Sequence, residues 1–470
     1  MKAKDINGIL LKSVFFNVMP YFYPVISRKY METKDFIVKR LGPCTVKSPL
    51  TLSKTNGDGQ YNYVEDDERI LYDVSLKNYL QTCKQGGEPL SFEKAGPKEM
   101  LYFEPAKTRA GIVTCGGLCP GLNNVIRSLV VQLYSRYKVT KILGFRYGYE
   151  GLVPSYNHDV VELTPDKVDD IHHLGGSVLG SSRGNQDVGE IVNTLDRMNV
   201  NILFCIGGDG TLRGAHAIHE EIERRGLKIA IAGIPKTIDN DINFIEKTFG
   251  FETAFTIASN IIRDAHNEAK GAYNGVSIIK LMGRDSGFIA ASAAIATQVV
   301  NFVLIPESPF DLYGHKGFFS ALKKRLEMKH HAVVVVAEGA GQDLFDNANA
   351  EKDKSGNVKY KDIGLYLRDE MHAFFESKNF PCVIKYIDPS YIIRSAPAVA
   401  DDSKFCSQLA QNAVHAAMAG RTDFVVGIWN NYFTLLPIPV AVKERKKINL
   451  EGELWYDVLQ TTGQPAVMKN

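Results

Sequence analysis

Short runs of apolar residues alternate with amphipathic stretches from residue 109 onwards. The apolar runs predict strands at residues 111–114, 202–206, 229–233, 276–281, 299–305 and 332–337. The stretches between them repeat with a helical period and predict helices at residues 122–137, 212–225, 254–269 and 363–375. Strands that are apolar on both faces and separated by helices are typical of parallel sheets covered on both sides. The pattern therefore predicts an α/β fold with two Rossmann-like three-layer α/β/α lobes and mostly parallel sheets.

The residues before 109 have a different pattern. Residues 1–105 are rich in Tyr, Lys and Asp and contain turn signals such as Asn56-Gly57-Asp58-Gly59. We interpret this segment as an N-terminal extension that wraps the main body or a neighbouring subunit. It is not expected to carry much of the chemistry.

Composition and charge argue against several classes of partner. The chain is 45% hydrophobic and 23% charged, and its formal net charge of +2 gives no general attraction to nucleic acid or to an anionic membrane. The apolar stretch 14–26 contains prolines and is shorter than the roughly 20 residues that span a bilayer, although its weakly basic start leaves a signal peptide as an alternative. The 7 cysteines lack the paired spacing of a zinc site, so we expect reduced thiols in the cytoplasm.

The loops that follow the predicted strands carry glycines, acids and cations. In open parallel sheets, ligands bind beyond the carboxyl ends of the strands, so a site is expected in these loops. The first loop, residues 114–123, places Gly116 and Gly117 before a helix, where backbone N–H groups attract anions. A tight turn without a ligand is the alternative for this loop alone.

The second loop, residues 207–211, follows a strand and opens a helix that Gly226 is expected to end. Thr211 can cap this helix. Asp209 would place a carboxylate beside phosphates, and it would repel them unless a divalent cation lay between. Asp209 is therefore a candidate ligand for Mg²⁺. An aspartate that only stabilises the turn is the alternative.

The third loop, residues 235–241, has carboxylates separated by one residue. If the segment is extended, Asp239 and Asp241 lie on the same side. One of them can then accept the proton of an attacking hydroxyl, while the other supports a metal or orients its partner. Lys236 and Thr237 are adjacent in the chain. A solvated turn rich in Asp and Asn is the alternative.

Further segments add cations and one acid. Arg284 follows a predicted strand and suits a phosphate or a developing phosphoryl charge. Arg183 is the cation of a small-residue loop, and Glu338 ends a predicted strand and could accept the hydroxyl groups of a sugar. Arg394 lies in a predicted loop after a strand at 382–387. Each residue alone is more typical of structure than of function. Together they place acidic and anion-binding groups at many strand ends.

The ordered set of these motifs resembles the 6-phosphofructokinase family. The motifs are GGLCPGLN, LGSSRG, GGDGT, PKTIDND, MGR, AEG and YIIR, and they cover roughly residues 105–440. The long-chain branch of plants and trypanosome-like protists is the most similar, because of the N-terminal extension and the lysine in PKTIDND. The resemblance implies transfer of the γ-phosphoryl group of ATP, with Mg²⁺, to the 1-hydroxyl of fructose 6-phosphate in glycolysis. It also implies an allosteric homo-oligomer, a tetramer or alternatively a dimer, while the cytoplasmic location is inferred from missing targeting signals.

The resemblance also implies roles for individual residues. Asp239 would be the catalytic base, assisted by Lys236 and Arg284, and Asp209 would bind Mg²⁺. The residues implied for the nucleotide are Gly116, Gly117, Arg183, Gly184, Gly208, Asp209, Gly210 and Thr211. Those implied for the sugar phosphate are Thr237, Ile238, Asp239, Met282, Gly283, Arg284, Glu338, Tyr391, Ile392, Ile393 and Arg394. The implied domains are the extension 1–105, a nucleotide lobe 106–236 completed by 408–446, a sugar-phosphate lobe 237–407 and a C-terminal tail 447–470.

The phosphoryl donor depends on opposing signals. Gly210 leaves room for a nucleotide, whereas relatives that use pyrophosphate resemble GGDD there, with a bulky acid. Lys236 favours pyrophosphate, because a lysine at that position is usual in pyrophosphate enzymes. Steric exclusion is the stronger argument, so we expect ATP, with pyrophosphate as the alternative. A catalytically inactive regulatory subunit, or another kinase that shares GGDGT such as an NAD kinase or a lipid kinase, are further alternatives.

Overall fold

A computed structural model describes residues 33–345, 351 and 358–470 of the chain. The apolar stretch 14–26, which the sequence marks as too short for a bilayer, lies outside the described residues. None of the helices in the described ranges combines the length and hydrophobicity that crossing a bilayer would need.

Strands and helices alternate along most of the described chain. The strands are β1 (Lys39–Arg40), β2 (Val46–Lys47), β3 (Arg69–Leu71), β4 (Ser91–Lys94), β5 (Met100–Leu101), β6 (Arg109–Thr114), β7 (Lys141–Phe145), β8 (Val160–Glu162), β9 (Ile202–Gly207), β10 (Ala230–Pro235), β11 (Gly275–Leu281), β12 (Phe302–Leu304), β13 (His331–Ala337), β14 (Val383–Ile387), β15 (Arg421–Thr422), β16 (Phe424–Trp429) and β17 (Tyr432–Pro437). The helices are α1 (Leu76–Lys84), α2 (Leu122–Val131), α3 (Val188–Arg197), α4 (Asp209–Arg224), α5 (Phe251–Lys270), α6 (Phe288–Thr297), α7 (Phe318–Lys329), α8 (Ile363–Ser377), α9 (Ser390–Ser395), α10 (Ala400–Met418), α11 (Ile438–Ala441) and α12 (Glu453–Thr462).

The larger sheet has 9 strands within the described residues, in the order β3-β4-β17-β16-β10-β9-β6-β7-β8. Its centre, from β16 to β7, is parallel. The register pairs Ile206 with both Thr114 and Ile234, so β6, β9 and β10 end at the same edge of the sheet. The loops that carry the first three predicted motifs therefore start side by side.

The smaller sheet has 4 strands in the described part of the chain, in the order β12-β13-β11-β14. All its strand pairs are parallel. Ala337 pairs with Leu281, so β11 and β13 end together. The segments that carry Arg284 and Glu338 consequently begin at one edge.

The predicted fold class, α/β with mostly parallel sheets, is confirmed. Apolar strands such as β9 and β13 are buried along nearly their whole length, and helices cover both faces of each sheet. Phe204 of the larger sheet and Val335 of the smaller one belong to one continuous core. Burial of one such side chain stabilises a fold by about 1.5–3 kcal/mol, so the packing between the sheets holds the two sets of strand ends in fixed positions.

The structure differs from the sequence pattern at the edges of the larger sheet. β3, β4 and β17 are antiparallel on one side, and β8 is antiparallel on the other. β3 and β4 belong to the segment before residue 109, so the predicted extension also completes the larger sheet. The antiparallel pairing of β4 with β17 joins Lys94 to Thr434, far apart in the chain.

Three local predictions can be compared with the structure. Gly226 follows Arg225, the C-cap of α4, and has φ +69°, as expected for a residue that ends a helix. The prediction that Thr211 caps α4 is wrong, because the helix already begins at Asp209 with Gly208 as its N-cap. The prediction of a loop at Arg394 is also wrong, because this residue lies in the short helix α9. The Asp388 carboxylate accepts a hydrogen bond of 3.1 Å from the Ser390 N–H at the start of α9.

Candidate active site

Lys236 connects the loops that follow β6, β9 and β10. Its ammonium donates a hydrogen bond of 2.7 Å to the carbonyl oxygen of Gly117. A Cβ on Gly116 would lie 3.1 Å from the Lys236 Nζ, and one on Gly208 would lie 3.2 Å from the Lys236 carbonyl oxygen. The residue is 6% exposed, and burial lowers the pKa of its ammonium. The glycines therefore leave room for the buried ammonium of Lys236, and this ammonium links the loops.

The segment 181–184 packs against the first glycine loop. The Gly116 N–H donates to the Ser182 carbonyl oxygen (2.9 Å), and the Ser181 hydroxyl donates to the Gly116 carbonyl oxygen (2.5 Å). Gly116 has φ +87°, which favours glycine. A Cβ on Gly117 would lie 2.8 Å from Nη2 of Arg183. The structure thus brings Arg183 beside the glycine loop, as the motif set implied.

Asp209 lies at the first position of α4, where the helix dipole favours a negative charge. Its carboxylate accepts a hydrogen bond of 3.1 Å from Nε of Arg213 and lies 3.8 Å from Nη2 of Arg445. A Cβ on the neighbouring Gly210 would meet no atom within 4 Å in the part of the chain that the structure describes. Open space therefore lies beside the start of this helix.

The loop after β10 forms a turn, so the condition that the segment is extended is not met. Asn240 has φ +52°, a conformation that asparagine tolerates. Its side chain accepts from the Thr248 N–H (3.1 Å) and donates to the Glu246 carbonyl oxygen (3.0 Å), which holds the turn. The Thr237 hydroxyl accepts from the Asp239 N–H (3.1 Å) and donates to the Asp241 carboxylate (2.9 Å). The turn keeps both acids close together without the extended backbone.

The electrostatic environment favours the neutral form of Asp239. Burial is the main cause of its raised pKa, and repulsion from Asp241 and Glu338 raises it further, while Arg394 opposes the shift. One carboxylate oxygen, Oδ1, is buried and has no hydrogen-bond partner among the described residues. Burial also raises the pKa of Asp241, opposed by Arg445 and by the Thr237 hydrogen bond.

The loops of the smaller sheet reach the same place. The Ser286 hydroxyl donates a hydrogen bond of 3.0 Å to the carbonyl oxygen of Asp239. The Glu338 N–H donates to the Leu281 carbonyl oxygen (2.9 Å), and the N–H of the next residue donates to the Gly283 carbonyl oxygen (3.0 Å). The strand ends of both sheets therefore meet at Asp239.

The charged side chains on this side are held by aromatic and acidic neighbours. The Arg284 guanidinium lies over the ring of Tyr360, 4.3 Å from its centre, and donates to the carbonyl oxygen of Val358. Burial raises the pKa of Glu338, while Arg394 and Arg284 oppose the shift. The structure thus brings Asp239, Glu338, Arg284 and Arg394 within electrostatic reach of one another.

Some residues implied for the sugar phosphate do not point into this cleft. Tyr391 and Ile392 are 82% and 68% exposed on the surface of α9. Ile238, Met282 and Ile393 have side chains buried in the core, so only their backbone atoms are available to a ligand. Helical geometry explains the difference within α9, because successive side chains point in different directions around the axis.

Two cations at the site were missed from the sequence. Arg445 pairs with Asp285 and lies 3.9 Å from the Asp241 carboxylate. Lys280, within β11, pairs with Asp362 (2.6 Å) and with Asp388 (2.9 Å). Arg445 belongs to a basic run that resembles a solvated surface segment, and Lys280 belongs to an apolar strand. Neither carries a motif that would have marked it.

The acids do not form a complete metal site by themselves. No group of three or more His, Cys, Asp or Glu residues in the described ranges is arranged to hold a metal ion. Mg²⁺ in phosphoryl-transfer enzymes usually binds through one or two carboxylates and the phosphates of the substrate. Asp209, at a helix start beside open space, fits that mode of binding. The arrangement suits transfer of a phosphoryl group to a hydroxyl near Asp239.

Similar proteins identify the family of this chain. Residues 109–417 match the model of the phosphofructokinase family. A relative named ATP-dependent 6-phosphofructokinase from Borreliella burgdorferi is 50% identical over 445 residues, covering 93% of this chain and 99% of the relative. A relative of the same name from Trypanosoma brucei brucei is 47% identical, covering 87% and 83%. ATP-dependent 6-phosphofructokinase 5, chloroplastic, from Arabidopsis thaliana is 43% identical, covering 86% and 76%.

Solved structures share the fold at lower identity. A pyrophosphate-dependent phosphofructokinase from Marinobacter aquaeolei aligns with a TM-score of 0.63 at 20% identity, covering 76% of this chain and 91% of that one. Phosphofructokinase from Saccharomyces cerevisiae aligns with a TM-score of 0.57 at 20% identity, covering 76% and 47%. The family match, the identities over most of the chain and the shared fold lead to one conclusion: the chain belongs to the phosphofructokinase family.

Proposed function

We propose that this chain is an ATP-dependent 6-phosphofructokinase, which converts D-fructose 6-phosphate and ATP to fructose 1,6-bisphosphate and ADP. The observation that carries the proposal is the buried carboxylate oxygen of Asp239, which lacks a hydrogen-bond partner among the described residues where the strand ends of both sheets meet. An oxygen in that state, on a group with a raised pKa, is suited to accept the proton of a sugar hydroxyl. The relatives that carry this name supply the identity of the substrates.

The nucleotide would bind at the carboxyl ends of β6, β9 and β10. The backbone of the glycine loops and the start of α4 provide N–H groups for its phosphates, and Arg183 adds a positive charge beside Gly117. The open space next to Gly210 supports ATP as the donor. The buried Lys236 lies between these loops, where its ammonium would contact the phosphoryl group during transfer. The residues proposed to bind the nucleotide are Gly116, Gly117, Arg183, Gly184, Gly208, Asp209, Gly210 and Thr211.

Asp209 would hold Mg²⁺ together with the phosphates of the donor. When bound, Mg²⁺ neutralises charge on the phosphate oxygens and orients them for transfer. The fit rests on the position of the Asp209 carboxylate at a helix start beside open space. A carboxylate with an incomplete set of protein partners is the arrangement that a metal–nucleotide complex requires.

The sugar phosphate would bind on the side of the smaller sheet. Arg284 and Arg394 provide positive charge for its 6-phosphate, and Glu338 can accept hydrogen bonds from its hydroxyl groups. Thr237 offers a hydroxyl, while Ile238, Met282, Gly283 and Ile393 offer backbone groups. The exposure of Tyr391 and Ile392 supports a homo-oligomer in which a second subunit covers this surface. A tetramer is proposed, with a dimer as the alternative.

The reaction would be a direct in-line transfer. Asp239 accepts the proton of the 1-hydroxyl as that oxygen bonds to the γ-phosphorus, and the bond from this phosphorus to the oxygen of ADP breaks. Lys236, Arg183 and Arg284 stabilise the charge on the equatorial oxygens.

The proposal also divides the chain into lobes. Residues 106–236, completed by 408–446, form the nucleotide lobe, and residues 237–407 form the sugar-phosphate lobe. The enzyme works in the cytoplasm.

A coupled assay tests the proposal directly. The purified chain is supplied with fructose 6-phosphate and Mg²⁺ and with either ATP or pyrophosphate, and fructose 1,6-bisphosphate is measured. We expect turnover with ATP and little with pyrophosphate. Turnover only with pyrophosphate would reverse the choice of donor. Absence of turnover with both donors, while fructose 6-phosphate still binds in calorimetry, would instead favour an inactive regulatory subunit.

A further inference from the structure

The segment after α11 lies against the acids of the site. We call residues 442–449 the C-terminal arm. Arg445 pairs with Ile242 in an antiparallel bridge, and the Lys446 N–H donates to the Asp241 carbonyl oxygen (2.9 Å). The Ile448 N–H donates to a Glu307 carboxylate oxygen (2.9 Å), which also accepts from the Gly287 N–H (3.1 Å) at the start of α6. The arm is therefore held by backbone contacts near its middle and by a hydrogen bond to a carboxylate near its C-terminal end.

These contacts place the Arg445 guanidinium among acids from three loops. It forms an ion pair with Asp285, and it lies 3.8 Å from the Asp209 carboxylate and 3.9 Å from that of Asp241. The side chain is 27% exposed. The attraction of these acids and of Asp239 raises the pKa of Arg445 against the effect of burial. The cation thus compensates negative charge that would otherwise accumulate where the strand ends meet.

We propose that Arg445 is a built-in counter-cation of this acid cluster, and that it keeps the cluster from binding a divalent cation before the nucleotide arrives. The inference rests on the proposed function, because it takes Asp209 as the ligand of Mg²⁺. A positive charge within about 4 Å of a carboxylate weakens its attraction for a second cation. A metal that arrives with the donor brings phosphate oxygens as ligands and has less need of the protein's charge. Arg445 therefore selects for the metal–nucleotide complex over the free ion.

The inference is tested by binding of Mn²⁺ to the full-length chain, measured by electron paramagnetic resonance without nucleotide or sugar. Arg445→Gln and Arg445→Met both remove the charge, and the second keeps the aliphatic stem, so the result does not depend on one variant folding. Each is expected to bind Mn²⁺ at least about tenfold more tightly than the unmodified chain. An unchanged or weaker affinity in the folded variants would overturn the proposal.

Two control variants distinguish the effect of a charge at the acid cluster from the effect of any charge on the C-terminal arm. Arg445→Lys keeps the positive charge and should stay within about threefold of the unmodified chain. Lys443→Gln removes a charge from an exposed position of the same arm, and solvent screening should also limit its effect to about threefold. A gain in Lys443→Gln as large as in Arg445→Gln would show that net charge alone is responsible, and it would contradict the specific role of Arg445.

Asp209→Asn distinguishes this inference from the proposed function. If this variant binds Mn²⁺–ATP as tightly as the unmodified chain, Asp209 is not the ligand of the metal and the role of Arg445 loses its basis, whereas the proposed activity is judged separately by the coupled assay. If Asp209→Asn weakens Mn²⁺–ATP binding while Arg445→Gln leaves the affinity for free Mn²⁺ unchanged, only the role of Arg445 fails.

Discussion

Lys236 and Gly117 lie 119 positions apart in the chain, yet the Lys236 ammonium donates a hydrogen bond of 2.7 Å to the Gly117 carbonyl oxygen. The parallel pairing of β10 with β9 and of β9 with β6 makes this possible, because it ends the three strands at one edge. The Lys236 N–H also donates to the Gly207 carbonyl oxygen (3.0 Å). A single buried cation thus aligns the phosphate-binding loops with the acids of the following turn.

Replacement of Asp239 by asparagine tests the catalytic base. Asn cannot accept the proton of the 1-hydroxyl, so kcat should fall by about 10²–10⁴-fold while fructose 6-phosphate still binds. Steady-state kinetics and calorimetry measure the two effects. Asp264→Asn, on the exposed side of α5, serves as the control and should leave both unchanged. A near-normal kcat in Asp239→Asn would remove the assignment.

The raised pKa of Asp239 predicts a loss of activity on the acid side. The base must be deprotonated, so kcat/KM should fall as the pH drops through a pKa higher than the ordinary value of about 3.9. Asp241 is one cause of the raised pKa. Asp241→Asn removes this repulsion and should therefore shift the acid limb of the pH profile to lower pH. An acid limb that does not move, or that moves to higher pH, would contradict the coupling of these two acids.

Gly210 is predicted to decide the phosphoryl donor. A Cβ at this position meets no atom within 4 Å in the described residues, so Gly210→Asp should fold normally. Its carboxylate would occupy the space next to Asp209 and repel the nucleotide. We expect kcat/KM for ATP to fall by at least about 100-fold, and Gly210→Ala to retain most of the activity. The coupled assay with each donor measures this, and full activity of Gly210→Asp with ATP would show that the nucleotide lies elsewhere.

We predict that Lys280 positions the segments that bind the sugar phosphate without contacting the sugar phosphate itself. Its ammonium links Asp362 at the start of α8 to Asp388 before α9, which carries Arg394. Lys280→Met should raise KM for fructose 6-phosphate by about tenfold, with much smaller effects on kcat and on KM for ATP. Lys280→Arg should restore part of the loss, and Lys270→Met, at an exposed position of α5, should change nothing. Equal losses for both substrates would instead indicate general destabilisation.

Arg421 is predicted to stabilise the contact between the segment before residue 109 and the rest of the fold. It is 1% exposed and pairs with Glu93 (2.9 Å) and Asp66 (2.7 Å). Arg421→Met removes the ion-pair partner of the buried Glu93, and the free energy of unfolding should fall by about 3–5 kcal/mol.

Unfolding in guanidinium measures the loss of stability in Arg421→Met, and two further variants serve as comparisons for its size. Arg40→Met, which removes an exposed partner of the same Asp66, should lower the free energy of unfolding by less than about 1 kcal/mol. The double variant Arg421→Met with Glu93→Leu should recover much of the loss, because it leaves no buried charge unpaired at Glu93. A loss that persists undiminished in the double variant would point to packing instead of charge.

β7 and β16 lie in the parallel centre of the larger sheet and were not among the predicted strands. The strands β6, β9, β10, β11 and β13 could be predicted because each is a continuous apolar run, which is typical of a strand buried on both faces. The antiparallel edge strands β3 and β4 could not, since they are short and the partner of β4 is β17, far along the chain. The turn at Asn240 could not be predicted from the sequence either. Its conformation depends on hydrogen bonds to Glu246 and Thr248, which a local pattern does not reveal.

The sequence by itself determined the fold class, the glycine loops and the presence of Asp209, Asp239, Arg284 and Glu338 at strand ends, because local periodicity and strand-to-helix joints are encoded by neighbouring residues. Only the tertiary structure decided that Arg445 reaches these acids and that Tyr391 and Ile392 face outward. Such placements depend on packing between segments that are distant in the chain, where a basic or apolar residue looks the same in a site as on any surface.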